Sequence, residues 1–220
     1  MAEPIRSPAT PPRVPNPEDR ARYETIADWA HREQWTRGAE LGVFDGATFL
    51  YLLEHCPALT MIGVDVWGLP GFSEGPTKSG EKCRCRFCEE TRARRRALPT
   101  DEHRMRHVVS EAAKYGIAPS SPEWQAHGVL ATGKRGMLYR LRTIQAAAAH
   151  EQEFDFVFID GDHSTEGVSA DIAAWLPKIK PGGILIGHDW NMKSVRDGIA
   201  AHFEDGKVFT TSDHVWYVPL

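Results

Sequence analysis

The stretch from residue 154 to residue 189 constrains the fold more than any other. Phe154 to Ile159 (FDFVFI) is an apolar run that stops at Asp160. Ser164 to Ile179 then carries Val168, Ile172, Trp175, Leu176 and Ile179 at spacings of four, three, one and three. That is one apolar helical face, with Ser164 placed as its N-cap. Pro181-Gly182-Gly183 reads as a turn, and Ile184-Leu185-Ile186 as a strand ending at His188-Asp189. A strand, a helix and a strand in that order pair in parallel, because parallel neighbours need a long crossover. Such a sheet is covered by helices on both faces, and its ligands bind beyond the carboxyl ends of the strands.

The rest of the chain repeats the alternation. Glu18 to Trp35 reads as a helix, Arg37 to Gly42 as a first strand, Gly46 to Cys56 as a helix stopped by Pro57, and Thr60 to Asp65 as a buried strand. Asp101 to Tyr115 is helical in pattern, Met137 to Leu141 a strand and Thr143 to His150 a short helix. Val195 to Phe203 is a further helix. Lys207 to Thr211 and His214 to Val218 form a hairpin around Ser212-Asp213. Residues 68 to 100 break the rhythm with Gly, Pro, three cysteines and a run of arginines, and read as an insertion or lid. Between 116 and 135 the pattern is ambiguous and allows a helix over Pro122 to Leu130. The whole of 68–135 is therefore assigned to a lid or substrate region within a domain spanning 18–220.

Bulk properties narrow the function classes. The 220 residues fit one domain, and 41% hydrophobic residues suffice for a core. A net charge of −4 argues against a surface built to grip nucleic acid. No apolar run approaches a membrane span. Residues 1–17 hold six prolines, Pro4 to Pro17, and read as a disordered tail with no apolar signal core. The expected address is the cytoplasm, where the four cysteines stay reduced.

Four strand ends carry chemistry, and the topology brings them to one edge. The first is the turn Glu40-Leu41-Gly42-Val43-Phe44-Asp45-Gly46, whose glycines allow a tight turn and a close ligand approach. Phe44 stands where a dinucleotide fingerprint needs its second glycine. Glu40, an acid without a phosphate cradle, suits a cationic ligand, and a sulfonium carrying an amino-acid end fits that description. Asp65 closes the second strand, where a carboxylate can accept two hydrogen bonds from a ribose diol. Asp160, Asp162, His163, His188 and Asp189 occupy the other two ends. Two of these carboxylates, Asp160 and Asp189, can share a divalent cation such as Mg2+. Asp162 or His163 can take a proton, and His188 stands beside them. The bland alternative is that Asp160 and Asp162 hold a turn and cap the next helix.

These motifs, E-L-G-x-x-x-G, I-G-V-D-x-W, F-D-F-V-F-I-D-G-D-H-S-x-E-G-V and P-G-G-I-L-I-G-H-D-W, resemble class I S-adenosylmethionine-dependent methyltransferases. The nearest resemblance is to the bacterial group of small-molecule O-methyltransferases and cephalosporin-hydroxylase-like proteins. It implies a Rossmann-like three-layer αβα sandwich with a mostly parallel seven-stranded sheet, an antiparallel C-terminal hairpin and an inserted Cys/Arg-rich segment. It implies that Glu40, Leu41, Gly42 and Gly46 line the methionine and ribose of the cofactor, with Asp160 alongside. Asp65 would hold the ribose hydroxyls, with Val66 and Trp67 near the adenine. Relatives often carry an acid after the third strand, where this chain has Thr143-Ile144-Gln145-Ala146. Metal-dependent relatives place an acid or amide beside the equivalent of Asp189, where this chain has His188 and Trp190.

Outside those motifs, Cys83, Cys85 and Cys88 form C-x-C-x-x-C, three thiolates that could wrap Zn2+ with His103 or His107 as a fourth ligand. Arg92, Arg94, Arg95 and Arg96 could meet a phosphate or an acidic partner, or form a solvated helix face. Trp67, Phe72 and Trp124 are candidates for a substrate pocket. The expected activity is methyl transfer to a hydroxyl of a small molecule or sugar. The alternatives are N-methylation or hydroxylase-like chemistry on the same fold, or a binding module using the Cys/Arg-rich insertion. The expected partner is a small molecule, with a homodimer as the default assembly.

Overall fold

The computed structural model describes residues 20–70, 86–211 and 213–220. The Pro-rich residues 1–17, Phe72, Cys83, Cys85, the Cys88 side chain and Ser212 lie outside the described residues.

The elements run α1 (Arg22–Arg32), β1 (Arg37–Leu41), α2 (Ala47–His55), β2 (Thr60–Asp65), α3 (Arg86–Ala97), α4 (Asp101–Ala113), β3 (Ile117–Pro119), α5 (Pro122–Ala126), β4 (Val129–Gly133) and β5 (Gly136–Arg140). They continue α6 (Thr143–Ala147), β6 (Phe154–Ile159), α7 (Thr165–Trp175), β7 (Ile179–Gly187), α8 (Lys193–Ala200), β8 (Phe209–Thr210) and β9 (Trp216–Pro219). All the strands join one sheet in the order β3-β4-β5-β2-β1-β6-β7-β9-β8. The five central strands pair in parallel. The two strands at each flank are antiparallel.

Period-two alternation sorts the side chains of each central strand to two faces. On β6, Phe156 and Phe158 enter the core under α1, α2 and α4, with Ile26, Trp29, Phe49, Leu52 and Val108. Val157 and Ile159 enter the opposite core under α6, α7 and α8, with Ala146, Val168, Ile172, Trp175 and Ile199, and Phe154 joins them out of alternation, across the irregularity between 154 and 156. This is the three-layer sandwich. Each fully buried Phe or Leu in it contributes roughly 1.5–3 kcal/mol, so the central strands are the rigid part of the molecule.

Four expectations change. Among the described residues the sheet has nine strands, not seven. The two extra strands, β3 and β4, come from the segment whose pattern was ambiguous, and the helix expected over Pro122 to Leu130 stops at Ala126. The helix expected to run to Ile179 ends at Trp175 and tightens into a 3-10 turn over Leu176–Lys178. Pro177 removes a backbone donor there. The turn expected at 181–183 lies inside β7 as an irregularity: Phe154 pairs with Ile179, and the next pairing is Phe156 with Ile184. Among the described residues, no helix is long and apolar enough to cross a membrane.

Candidate active site

The turn after β1 lies against the end of β6. Asp160 donates its backbone N–H to the Leu41 carbonyl at 2.8 Å, and Gly42 donates to the Val64 carbonyl at 2.8 Å. Gly42 has φ +91°, and a Cβ on it would sit 2.3 Å from the Asp160 carbonyl oxygen. Only glycine fits there, so β1, β2 and β6 end at one point. Asp65 wires this point together: its carboxylate accepts the N–H of Phe44 at 2.7 Å and of Trp67 at 2.8 Å. The Trp67 indole N–H returns to the Phe44 carbonyl at 2.8 Å. Phe44 is held at φ +54°, a conformation costing a non-glycine residue of order 1–3 kcal/mol, and such strain clusters at functional sites.

Arginines of α3 and α4 fall on this turn. Arg94 Nε lies 2.8 Å from Asp45 Oδ2, which is itself buried. The guanidinium groups of Arg95 and Arg104 lie 4.9 and 4.4 Å from the centre of the Phe44 ring. The arginine run is thus tied to the turn as well as facing water.

Glu40 points from β1 into the same region. It is 2% exposed, and its Oε2 has no hydrogen-bond partner among the described residues. Burial raises its pKa well above the carboxylate range, Asp160 raises it further, and Arg22 opposes both.

The ends of β6 and β7 form a charged cluster. His163 Nε2 lies 2.6 Å from Asp189 Oδ2 and 3.6 Å from Asp160 Oδ1. His188 Nδ1 lies 3.5 Å from Asp160 Oδ1 and 3.4 Å from Asp189 Oδ1, with its Nε2 at 3.9 Å from Asp213 Oδ1. Hydrogen bonding to Asp160 and Asp189 pushes His163 up to about 10. His188 is also raised: burial works against its charge, and the Asp160 charge and its other carboxylate partners outweigh burial. Asp160 and Asp189 are held far below the usual carboxylate range, because Arg22 and the two imidazoles outweigh the burial of the first, and the two imidazoles that of the second. Asp189 carries φ +59°, a second strained residue in the site.

The structure brings together Glu40, Leu41, Gly42, Asp160, His163, His188 and Asp189, with Asp65 and Trp67 wired to the turn beside them. Asp162 stands apart. Its Oδ1 accepts the Ser164 N–H at 2.8 Å, and a Cβ on Gly167 would meet its Cγ at 2.4 Å, so it packs over the first turn of α7. Trp67 is 2% exposed, whereas Trp124 is 49% exposed on α5. His103 bonds its own helix cap, Thr100, at 2.9 Å. A surface cavity of about 400 Å3 between α4, β3 and β4 shares none of the cluster residues.

Two residues of the cluster escaped the sequence reading. Arg22, from the first turn of α1, places Nε 3.4 Å from Asp160 Oδ2. Asp213, in the turn before β9, accepts the Arg22 backbone N–H at 2.8 Å. Neither belongs to a local motif; each arrives through long-range packing.

Residues 39–190 match a sequence family described as a methyltransferase domain. No curated protein matches the sequence. In three dimensions the chain resembles the SAH-bound methyltransferase PaMTH1 of Podospora anserina, with TM-score 0.56 and 13% identity over 90% of this chain and 76% of that one. It also resembles an O-methyltransferase from Bacillus cereus in complex with SAH, with TM-score 0.53 and 13% identity over 92% and 83%. A third likeness is the O-methyltransferase TomG of Streptomyces achromogenes, involved in tomaymycin synthesis and in complex with SAM, with TM-score 0.52 and 12% identity over 90% and 78%. At such identities the likeness is one of fold.

Proposed function

Because the chain belongs to the methyltransferase domain family, we propose that it transfers the methyl group of S-adenosylmethionine to an oxygen of a small molecule. The observation that carries this reading is Glu40. It is a buried carboxylate with one oxygen unpartnered, beside a turn that only glycine can close. A buried unpaired carboxylate is costly unless a cation completes it, and the ammonium of the cofactor's amino-acid end is such a cation. Gly42, Leu41 and Gly46 let that end approach the backbone. Asp65 lies where it can bond the ribose hydroxyls, and Val66 lies near the adenine, with the Trp67 ring buried beneath the turn.

The methyl donor is already activated, so the protein must align the acceptor and take one proton. Beside the cofactor turn Asp160 and Asp189 are ionised and can accept it, whereas His163 and His188 are held charged by them and can orient the acceptor; His163 is the most exposed of the four side chains. Asp162 accepts the N–H of Ser164, the cap of α7, and supports the loop that carries His163. Asp160, His163 and Asp189 offer ligand atoms within 4.8 Å of one another, a set able to hold a divalent cation, which would polarise the acceptor oxygen. With imidazole among the donors, the set suits a borderline cation such as zinc better than magnesium.

Isothermal titration with S-adenosylmethionine and S-adenosylhomocysteine (SAH) tests the cofactor. Glu40→Gln should weaken both at least about tenfold, the scale of one charge-assisted hydrogen bond, without lowering the melting temperature. Absence of binding to the wild type sinks the reading. Product mass tests the reaction, with a gain of CH2 expected and a gain of one oxygen pointing to hydroxylation. Turnover with EDTA, and after adding back Mn2+, Zn2+ or Mg2+, tests the cation.

A further inference from the structure

Glu40 and Arg22 are left incomplete at the same place. Glu40 Oε2 is buried without a hydrogen-bond partner among the described residues. Arg22 Nε is buried too, and it lies 3.4 Å from Asp160 Oδ2 without forming a hydrogen bond. Each group acts on the other's charge. An unmet buried donor or acceptor costs about 1–3 kcal/mol, and native proteins keep few of them without a ligand or water to complete them. The ligand that completes both needs a cationic donor for Glu40 and an anionic acceptor for Arg22. An α-amino acid carries the two on one carbon.

We propose that Arg22 binds the α-carboxylate of the cofactor's amino-acid end while Glu40 binds its ammonium, so that α1 forms one wall of the cofactor site. This rests on the methyltransferase reading above. Arg22 is placed for the task by contacts that do not involve its guanidinium. Its backbone N–H is held by Asp213 at 2.8 Å, the Ala21 N–H is capped by Glu24 at 2.9 Å, and Ile26 and Trp29 fix the helix in the core. The guanidinium has four carboxylates around it, Asp160, Asp213, Glu40 and Asp189. A competing role is therefore plain neutralisation of those acids. The two roles differ in one respect: a neutralising arginine is indifferent to whether the ligand carries a carboxylate.

The test is isothermal titration of the full chain with SAH and with S-adenosyl-3-thiopropylamine, which lacks only the carboxylate. Wild type should bind SAH at least about tenfold tighter than the amine, the equivalent of about 1.4 kcal/mol. Arg22→Gln should bring the two affinities within about twofold by weakening SAH alone, and Arg22→Lys should restore part of the preference. A preference unchanged in Arg22→Gln overturns the proposal, and so does equal weakening of both ligands, which assigns Arg22 to neutralisation. The wild-type pair decides even where Arg22→Gln does not fold, because equal wild-type affinities overturn the proposal without a variant. Failure of the methyltransferase reading is distinct: there the wild type binds neither ligand.

Discussion

At the turn after β1, Asp65 is answered by backbone, with the N–H groups of Phe44 and Trp67 on its two oxygens. At the ends of β6 and β7, Asp160 and Asp189 are answered by side chains, the imidazoles of His163 and His188, with the guanidinium of Arg22 beside Asp160. A backbone donor neither titrates nor rotates away. A side-chain donor does both. One region of the site is therefore fixed once the strands pair, whereas the other depends on pH and on what binds. That division suits a site with one invariant ligand and one reacting partner.

The comparison can be broken where the regions touch, at Gly42 against Asp160. Gly42→Val places a Cβ 2.3 Å from the Asp160 carbonyl at φ +91°. Strain and overpacking together should cost roughly 3–5 kcal/mol, seen as a melting temperature lower by on the order of 10 °C, with SAH binding lost. A smaller effect isolates the backbone-wired region. Asp65→Ala leaves two N–H groups without their acceptor and should cost about 2–4 kcal/mol in urea unfolding. That loss should be the same at pH 7 and pH 10; a loss that shrinks with rising pH would show that this carboxylate, too, answers to titrating groups.

The charged region should behave in the opposite way. The folded pKa of His163, about 10, lies above its unfolded value. Its contribution to stability is therefore complete below about pH 6.5 and is lost as pH rises through about 10. Because its side chain is 38% exposed, solvent screening reduces the effect to on the order of 1 kcal/mol. Urea unfolding from pH 6 to 10.5 should show the decline, and His163→Gln should reduce it, leaving the part that His188 contributes. A decline of the same size in His163→Gln would move the assignment elsewhere. The smallest effect sharpens the role of α3: Arg94→Ala removes the partner of Asp45 and should cost about 1 kcal/mol, with SAH affinity changed less than about threefold.

Legibility in the sequence divides along the same line. Phe154 to Ile159 was readable as a strand with its true limits, because burial on both faces demands an uninterrupted apolar run. Ser164 was readable as the cap of α7, and its side chain accepts the Gly167 N–H. The glycine turn was readable because its chemistry is local. What was not readable depends on partners far away in sequence. Val129–Gly133 becomes a strand because Gly128, at φ +83°, ends α5 and lets the chain fold back on Gly136–Arg140. Nothing within that short segment announces the pairing. Arg22 and Asp213 join the cluster through a contact spanning 191 positions. The nine-residue β7 hides behind a Pro-Gly-Gly that locally spells a turn.

The sheet ends in very short strands, β3 with three residues and β8 with two. An open sheet is vulnerable at its rims, where unpaired amides can recruit a strand from another molecule. Here one rim closes on Pro119, which has no amide hydrogen to offer, and the other is too short to template a ladder. Each rim thus offers few free amides for a strand of another molecule to pair with. Lengthening either rim should raise the tendency of this enzyme to aggregate.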